Sequence, residues 1–220
     1  MCIRDRKEHL RPAPSADQIA LKALSTRRRQ LTELIAMEKT RLAQAVEDHI
    51  LASHKAVIKA LTAACAEVEG ELARRIAADR ALARKRDILL SIPGIGARIA
   101  PLLITDMPEL GTLDRKAAAS LAGMAPHPNQ SGVGPGRNAI SGGRPCIRSA
   151  FYMAGMVAAR SEPAFNALYK TMREAGKPPK VAIIAMGRRV VLLANALLRD
   201  DKLFADSKLL NPADNSSKVG

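Results

Sequence analysis

The residues of this sequence best suited to chemistry are glycines and cations whose spacing predicts phosphate binding. Ile92-Pro93-Gly94-Ile95-Gly96 stands between two stretches with a helical pattern. Gly94 and Gly96 are free to take positive φ, which turns the chain so that backbone N–H groups and the next helix N-terminus face outward. We therefore expect Gly94 and Gly96 to contact a phosphate.

A basic region follows, from residue 131 to residue 190. It contains ten Arg or Lys residues against two Glu, a net charge of +8, within a chain of net charge +14. Beside it, residues 124–143 are rich in Gly and Pro, which lets a backbone approach a ligand closely. Such a charge predicts a polyanionic partner, nucleic acid first. The residues expected to bind DNA phosphates are Gly94, Gly96, Gly132, Arg137, Arg144, Arg148, Lys177 and Lys180.

Composition excludes several other classes. Aromatic residues make up 2% of the chain, too few for a surface that stacks bases. Three widely spaced cysteines fit neither a disulfide framework nor a zinc motif, so we expect no metal site and a cytoplasmic location. Gly132, Gly134 and Gly136 are not expected to form a P-loop, because no apolar strand precedes them and the Lys-Ser/Thr pair is missing. No apolar run reaches 18 residues, which argues against a membrane partner.

The elements that position these residues are predicted to be helices, which makes the fold all-α. From the Ser15-Ala-Asp17 N-cap to about residue 83 there is no Pro and a single Gly, and apolar residues recur at helical spacing. Residues 17–85 therefore form a helical coiled-coil segment. It either folds back as a hairpin around Ser53-His54-Lys55 or pairs with a second chain, and the pattern favours neither.

The remaining residues are predicted to form a compact helical domain, 86–205. It contains a hairpin similar to the helix-hairpin-helix of DNA-binding proteins, the Gly-rich loop, and helices at 144–159, 163–173 and 180–198, the last a buried core helix. Residues 1–16 are expected to be a disordered or residual N-terminal segment, and 206–220 a disordered tail.

Four motifs in order resemble the C-terminal transposase domain of the insertion-sequence-110 family, also called IS110/IS116/IS902. They are LLSIPGIG, MPELGTLDRKAAASLAGMAPHPNQSG, GRNAISGGRPCIRSAFYMA and GKPPKVAIIAMGRRVVLLANALLR. The upstream LKALSTRRRQLTELIAMEKTRLAQA is similar to the helical segment that precedes this domain in the family. The resemblance covers about residues 17–200.

The resemblance implies a DNA transposase or site-specific recombinase that exchanges strands through a serine nucleophile. The matching serine is Ser131, with Ser141 as its rival, and no general base is evident because His127 is better read as a loop residue. Family members also carry an N-terminal RuvC-like domain whose acidic residues bind Mg²⁺. Its absence here predicts a truncated copy that binds DNA but cuts it poorly or not at all.

The partners implied are DNA at the element ends and target, a second copy of the chain through the coiled coil and, in some relatives, a guide RNA. A non-catalytic DNA-binding module that uses the hairpin and the basic cluster is the alternative. Its contacts would be the same phosphate contacts without strand cleavage.

Overall fold

The computed structural model describes residues 15–128 and 138–206. Within these ranges the chain forms eight α-helices and one antiparallel pair of three-residue strands, which confirms the all-α prediction. The elements are α1 (Ala16–Leu42), α2 (Asp48–Ala78), α3 (Arg80–Ser91), α4 (Ile99–Asp106), α5 (Arg115–Leu121), β1 (Pro126–Pro128), β2 (Asn138–Ile140), α6 (Pro145–Ser161), α7 (Pro163–Glu174) and α8 (Pro179–Asp200). A short 3₁₀ helix follows at Phe204–Asp206.

The chain divides into two compact units, with the boundary inside α2 between Arg75 and Ile76. In the first unit α1 and α2 form an antiparallel hairpin. Arg28 Nε lies 2.7 Å from Glu69 Oε1, and nearer the turn His54 Nδ1 lies 2.7 Å from Glu38 Oε2. Few apolar side chains are buried along α1, so these polar contacts fix its register.

The start of α1 follows the prediction, whereas the turn after it does not. Ser15 is the N-cap: its hydroxyl accepts a bond from Gln18 N, and the Gln18 side chain accepts one from Ser15 N. The turn lies at residues 43–47 and not at 53–55, and His54 sits inside α2. The acidic pair Glu47-Asp48 favours a helix N-terminus there, and basic Lys39 and Arg41 close α1.

The second unit is built on α6 and α8, which pack closely and antiparallel. A Cβ placed on Gly155 would overlap the backbone nitrogen of Gly187, and one placed on Gly187 would lie 2.7 Å from the Phe151 carbonyl oxygen. Two glycines facing each other therefore let the helix backbones touch. Proline occupies the first turn of α6, α7 and α8, where its missing N–H costs no helical bond.

Helix α8 is the buried core helix that the sequence predicts. Its buried residues include Met186, Val190, Val191 and Leu197, and it contacts α3, α5, α6 and α7. By length and composition it is also the one helix among the described residues that is long and apolar enough to cross a membrane. Half of that apolar stretch is buried inside this unit, which accounts for its composition as core.

Replacing Gly155 with Ala tests the contact between α6 and α8. The new methyl group would overlap the α8 backbone, so we expect the free energy of unfolding to fall by about 1–3 kcal/mol. Gly70→Ala in α2 is the control, because a Cβ there meets nothing within 4 Å. That variant should be neutral or gain up to about 1 kcal/mol. Urea denaturation measures both, and wild-type stability in Gly155→Ala would contradict the close contact.

Acid should weaken the α1–α2 hairpin through Glu38. The hydrogen bond from His54 lowers the pKa of this carboxyl below its ordinary 4.5, with a further contribution from Arg41. A lowered folded-state pKa stabilises the protein above pH 4.5, and this contribution is lost as the pH falls through the folded-state value. Wild type should therefore lose more stability than Glu38→Gln between neutral pH and about pH 3 in thermal melts. Glu33→Gln, an exposed substitution on the same helix, should behave as wild type.

Candidate nucleic-acid interface

The strand pair β1–β2 brings together the two ends of the Gly-rich segment. Pro126 pairs with Ile140, and Pro128 pairs with Asn138. The predicted site residues Ser131, Gly132 and Arg137 lie between the strands, outside the described residues. The structure therefore defines where that segment leaves the domain and where it returns.

The base of the strand pair is closely packed. Gly143 has a φ of 62° and approaches the Gly123 backbone so closely that a Cβ on Gly143 would overlap it. Arg144 N donates to Leu121 O at 3.1 Å, which ties the end of this connection to α5. The rival serine, Ser141, follows β2 directly and is exposed. A rigid base of this kind fixes the direction in which the Gly-rich segment starts.

Of the predicted phosphate ligands, Arg148 borders this base. Its Nη1 donates to Gly142 O at 2.8 Å, and the side chain is partly exposed. This single bond uses one of five guanidinium N–H groups, so donors remain for a ligand. Arg148 thus lies against the glycines that follow β2.

Arg144 is engaged inside the protein. Its Nη2 lies 2.7 Å from Glu109 Oε1, its Nη1 lies 3.0 Å from Glu109 Oε2, and Nη1 also donates to the Asp106 carbonyl oxygen. The hydrogen bond to Glu109 raises the pKa of the guanidinium, which keeps it charged. This bidentate pair joins the start of α6 to the turn after α4. The contact of Arg144 with phosphate stays a prediction, and its structural role was not visible from sequence.

The two glycines of the Ile92–Gly96 turn behave differently. Gly94 takes a φ of 89°, and a Cβ there would overlap the Ala154 carbonyl oxygen of α6. Gly94 therefore packs the turn against the core. Gly96 does not take positive φ, and nothing lies within 4 Å of the position of its Cβ. Of the two, Gly96 is the one open to an approaching ligand.

Lys177, two residues before α8, and Lys180, in its first turn, are both exposed. Because α6 and α8 are antiparallel with Gly155 near Ile183, the start of α8 lies beside the end of α6. Arg148 and Lys180 are thus separated by about ten residues of helix, roughly 15 Å along the axis. The structure does not gather the predicted ligands into one cluster.

Another pair of cations lines an open cleft at the junction of α6 and α7. Its walls are Arg160, Ser161, Pro163, Asn166, Ala167 and Lys170, around a volume of about 510 Å³. Asn166 Nδ2 donates to Ala159 O and holds this corner in place. The positive surface of the second unit therefore extends from the strand pair to the far end of α6.

Glu109→Gln tests whether Arg144 is a structural residue. The amide keeps the shape and removes the charge, so we expect a loss of about 1–3 kcal/mol in the free energy of unfolding. Glu174→Gln, on the exposed end of α7, serves as the control and should change stability little. Chemical denaturation measures both. If Glu109→Gln matches the control, the ion pair contributes nothing to the fold.

Comparison with known proteins shows which family part of the chain is similar to. Residues 86–170 match the family model described as Transposase IS116/IS110/IS902 family, which confirms the resemblance carried by the motifs. Over 194 residues, 86% of this chain, the sequence is 27% identical to the pilin gene-inverting proteins of Moraxella bovis and Moraxella lacunata.

The insertion element IS900 uncharacterized 42 kDa protein of Mycobacterium paratuberculosis is 31% identical over 132 residues, which are 55% of this chain and 31% of that protein. The chain spans about 60% of the length of the two pilin gene-inverting proteins. Residues 86–170, which include the strand pair, are therefore similar to the IS116/IS110/IS902 family of transposases.

Proposed function

We propose that this chain is the DNA-binding and nucleophile-bearing part of a transposase or site-specific recombinase. The match of residues 86–170 carries the proposal, because it spans both strands of the pair and everything between them, Ser131 included. Two of the similar proteins bear the name pilin gene-inverting protein, and inversion of a gene is a recombination of DNA.

In the proposed reaction Ser131 attacks the phosphorus of a scissile phosphodiester. The Oγ–P bond forms as the P–O3′ bond breaks, the serine proton passes to a base, and the 3′ oxygen takes up a proton to leave as a hydroxyl. The result is a phosphoserine linkage and a free 3′ end, which conserves the bond energy for rejoining. We assign the neutralisation of charge on the non-bridging oxygens to Arg148, and its bond to the Gly142 carbonyl oxygen beside β2 supports this assignment.

The family resemblance assigns Mg²⁺ to a RuvC-like domain. In the described part of this chain, no group of three or more His, Cys, Asp or Glu residues is placed to hold a metal ion. We propose that Mg²⁺ enters only with the RuvC-like domain, and we derive no step of the reaction through it.

DNA is the proposed partner, held mainly through its phosphates. Exposed cations of residues 131–190, such as Lys177 and Lys180, supply counterion release without base stacking, which suits the low aromatic content. A guide RNA would use the same chemistry. We also propose self-association through the first unit, because Ile19, Leu34 and Met37 of α1 are exposed apolar side chains on a long helix.

The alternative is a DNA-binding module that does not cut. The Arg144–Glu109 pair favours it, since a guanidinium held by a carboxylate contributes less to a phosphorane. Both functions bind DNA with the same dependence on salt, so covalent chemistry at the serine separates them.

Ser131→Ala should abolish covalent attachment of the protein to DNA and leave DNA binding unchanged, because the hydroxyl is the attacking atom. The assay combines this chain with a RuvC-like domain from a family member and a labelled duplex spanning an end of the element. Denaturing gels detect the adduct, and fluorescence anisotropy measures binding. The labelled duplex carries sulfur in place of the bridging 3′ oxygen at the scissile phosphate. Sulfur is a better leaving group, so the adduct accumulates.

Ser141→Ala is the matched control, an exposed serine next to the same segment. It should retain the adduct. If Ser131→Ala forms the adduct and Ser141→Ala does not, the nucleophile is Ser141 and not Ser131. Salt-dependent binding with no adduct in any variant would favour the non-catalytic module.

A further inference from the structure

A small recess adjoins the open cleft at the junction of α6 and α7. Arg160 and Asn166 line both, so the two volumes lie side by side. The recess has a volume of about 130 Å³, and its other walls are Met156, Ala159, Tyr169 and Ile183. Pockets that enclose a drug-sized ligand have about 300–1,000 Å³. The recess is therefore sized for one ring system, and most of its walls are apolar.

The corner that contains the cleft and the recess is formed by helices without a long loop. Glu162 is both the C-cap of α6 and the N-cap of α7. Asn166 Nδ2 donates to Ala159 O at 2.9 Å, and Phe165, which is 2% exposed, packs α7 on the core. Ile183 comes from α8, whose backbone lies against α6. Helix packing therefore sets the walls of both volumes.

The charge of the cleft comes from Arg160, in the last turn of α6, and from Lys170 on α7. Both are exposed, and in the part of the chain that the structure describes neither forms an ion pair, although Glu162 and Glu174 are close in sequence. Pro163, the first residue of α7, also borders the cleft, and the N-cap makes no side-chain bond. The first N–H groups of α7 add partial positive charge there. The cleft therefore suits a phosphate.

The recess offers an aromatic ring. Tyr169 is partly exposed and lines the recess together with the side chains of Met156 and Ile183. It is one of two tyrosines in a chain without Trp, and the other, Tyr152, lines neither volume. Bases stack on such a ring when they are free of a partner strand. One tyrosine is too little for an extended stacking surface, but it suits a single unpaired base.

The two volumes meet at Arg160, so a ring in the recess lies next to the positive charge of the cleft. A nucleotide has this combination, because a sugar joins its planar base to a charged phosphate. A free inorganic anion would use the cleft and leave the recess unfilled. A duplex would present its phosphates and keep its bases stacked inside. Among these ligands, an unpaired nucleotide uses both volumes.

We propose that the cleft and the recess together bind one unpaired nucleotide of a nucleic-acid strand. Its phosphate lies between Arg160 and Lys170, and its base packs on the ring of Tyr169. The proposal deepens the proposed function and rests on it for the origin of the strand, since strand exchange separates bases from their partners. It adds recognition of a single strand to the phosphate contacts of a duplex.

Binding of single-stranded and duplex DNA tests the base contact. Labelled oligo(dT) and a labelled duplex are titrated with the full chain, and fluorescence anisotropy measures both affinities. Tyr169→Leu should bind oligo(dT) about 5- to 100-fold more weakly, because it loses the stacking ring, and should bind the duplex as wild type does. Unchanged duplex binding also shows that the variant is folded. Tyr169→Phe keeps the ring and should match wild type on both probes, as should the control Tyr152→Leu.

The salt dependence of oligo(dT) binding tests the phosphate contact. Each lost contact should reduce the slope of log Kd against log salt by about 0.7 for a single strand. Arg160→Gln and Lys170→Gln should each show this reduction, and the double variant should lose about 1.4. Arg199→Gln is the matched control, because its guanidinium is already paired with Asp200 at 3.0 Å, and its slope should equal that of wild type.

Tyrosine fluorescence reports on the recess directly, because the chain contains no Trp. Tyr152→Phe leaves Tyr169 as the one tyrosine of the chain. Oligo(dT) should quench its emission by stacking. A strand of abasic residues, which has the phosphates without the bases, should not.

Wild-type affinity of Tyr169→Leu for oligo(dT), or equal quenching by oligo(dT) and the abasic strand, would overturn the nucleotide site. The proposed function would then still stand on duplex binding and the serine adduct. If wild type neither binds the duplex nor forms the adduct, the proposed function fails. Quenching by oligo(dT) alone would in that case still assign the corner to a single strand, and no quenching would overturn the assignment.

Discussion

The contact between Gly155 of α6 and Gly187 of α8 is the constraint on which the second unit depends. Because neither residue has a side chain, the two backbones meet directly, and the buried apolar residues of α8 reach several neighbouring helices at once. The α6 end of this contact is also fixed from another side, since Gly94 packs its turn against Ala154. Among the described residues, Arg148 and Lys180 lie on these two helices, and the turn that contains Gly94 packs on α6.

The packing of α6 and α8 explains how arginines with the same side chain acquire different roles. Arg144 stands at the start of α6 next to the turn after α4, where Glu109 neutralises it, and it becomes part of the fold. Arg148 lies about one turn further along α6, where its Nη1 donates to the Gly142 carbonyl oxygen and its side chain stays partly exposed. The net charge of the chain counts every arginine alike, whatever its partner. Only the partner of each guanidinium decides which of them remains available to a phosphate.

The first unit is stabilised in another way. Its hairpin is held by polar pairs between long side chains, and several apolar side chains on α1 remain exposed. A two-helix arrangement has too little apolar area between its faces to resemble a domain core. The second unit is closely packed, and its glycines set the distance between the helices. In the first unit, ion pairs between long side chains fix the register of α1 against α2.

By itself the sequence determined the helical class, the N-cap at Ser15, the helix that follows the Gly-rich segment, the core character of α8 and the family resemblance, because these depend on local periodicity, capping and motif order. The position of the α1–α2 turn was missed, since residues 43–47 contain neither Gly nor Pro and the break is set by contacts such as Glu38 with His54. The pairing of Arg144 with Glu109 and the inward packing of Gly94 against Ala154 were decided by the tertiary structure alone. Each joins residues at least 35 positions apart, and such contacts leave no periodic trace in a single sequence.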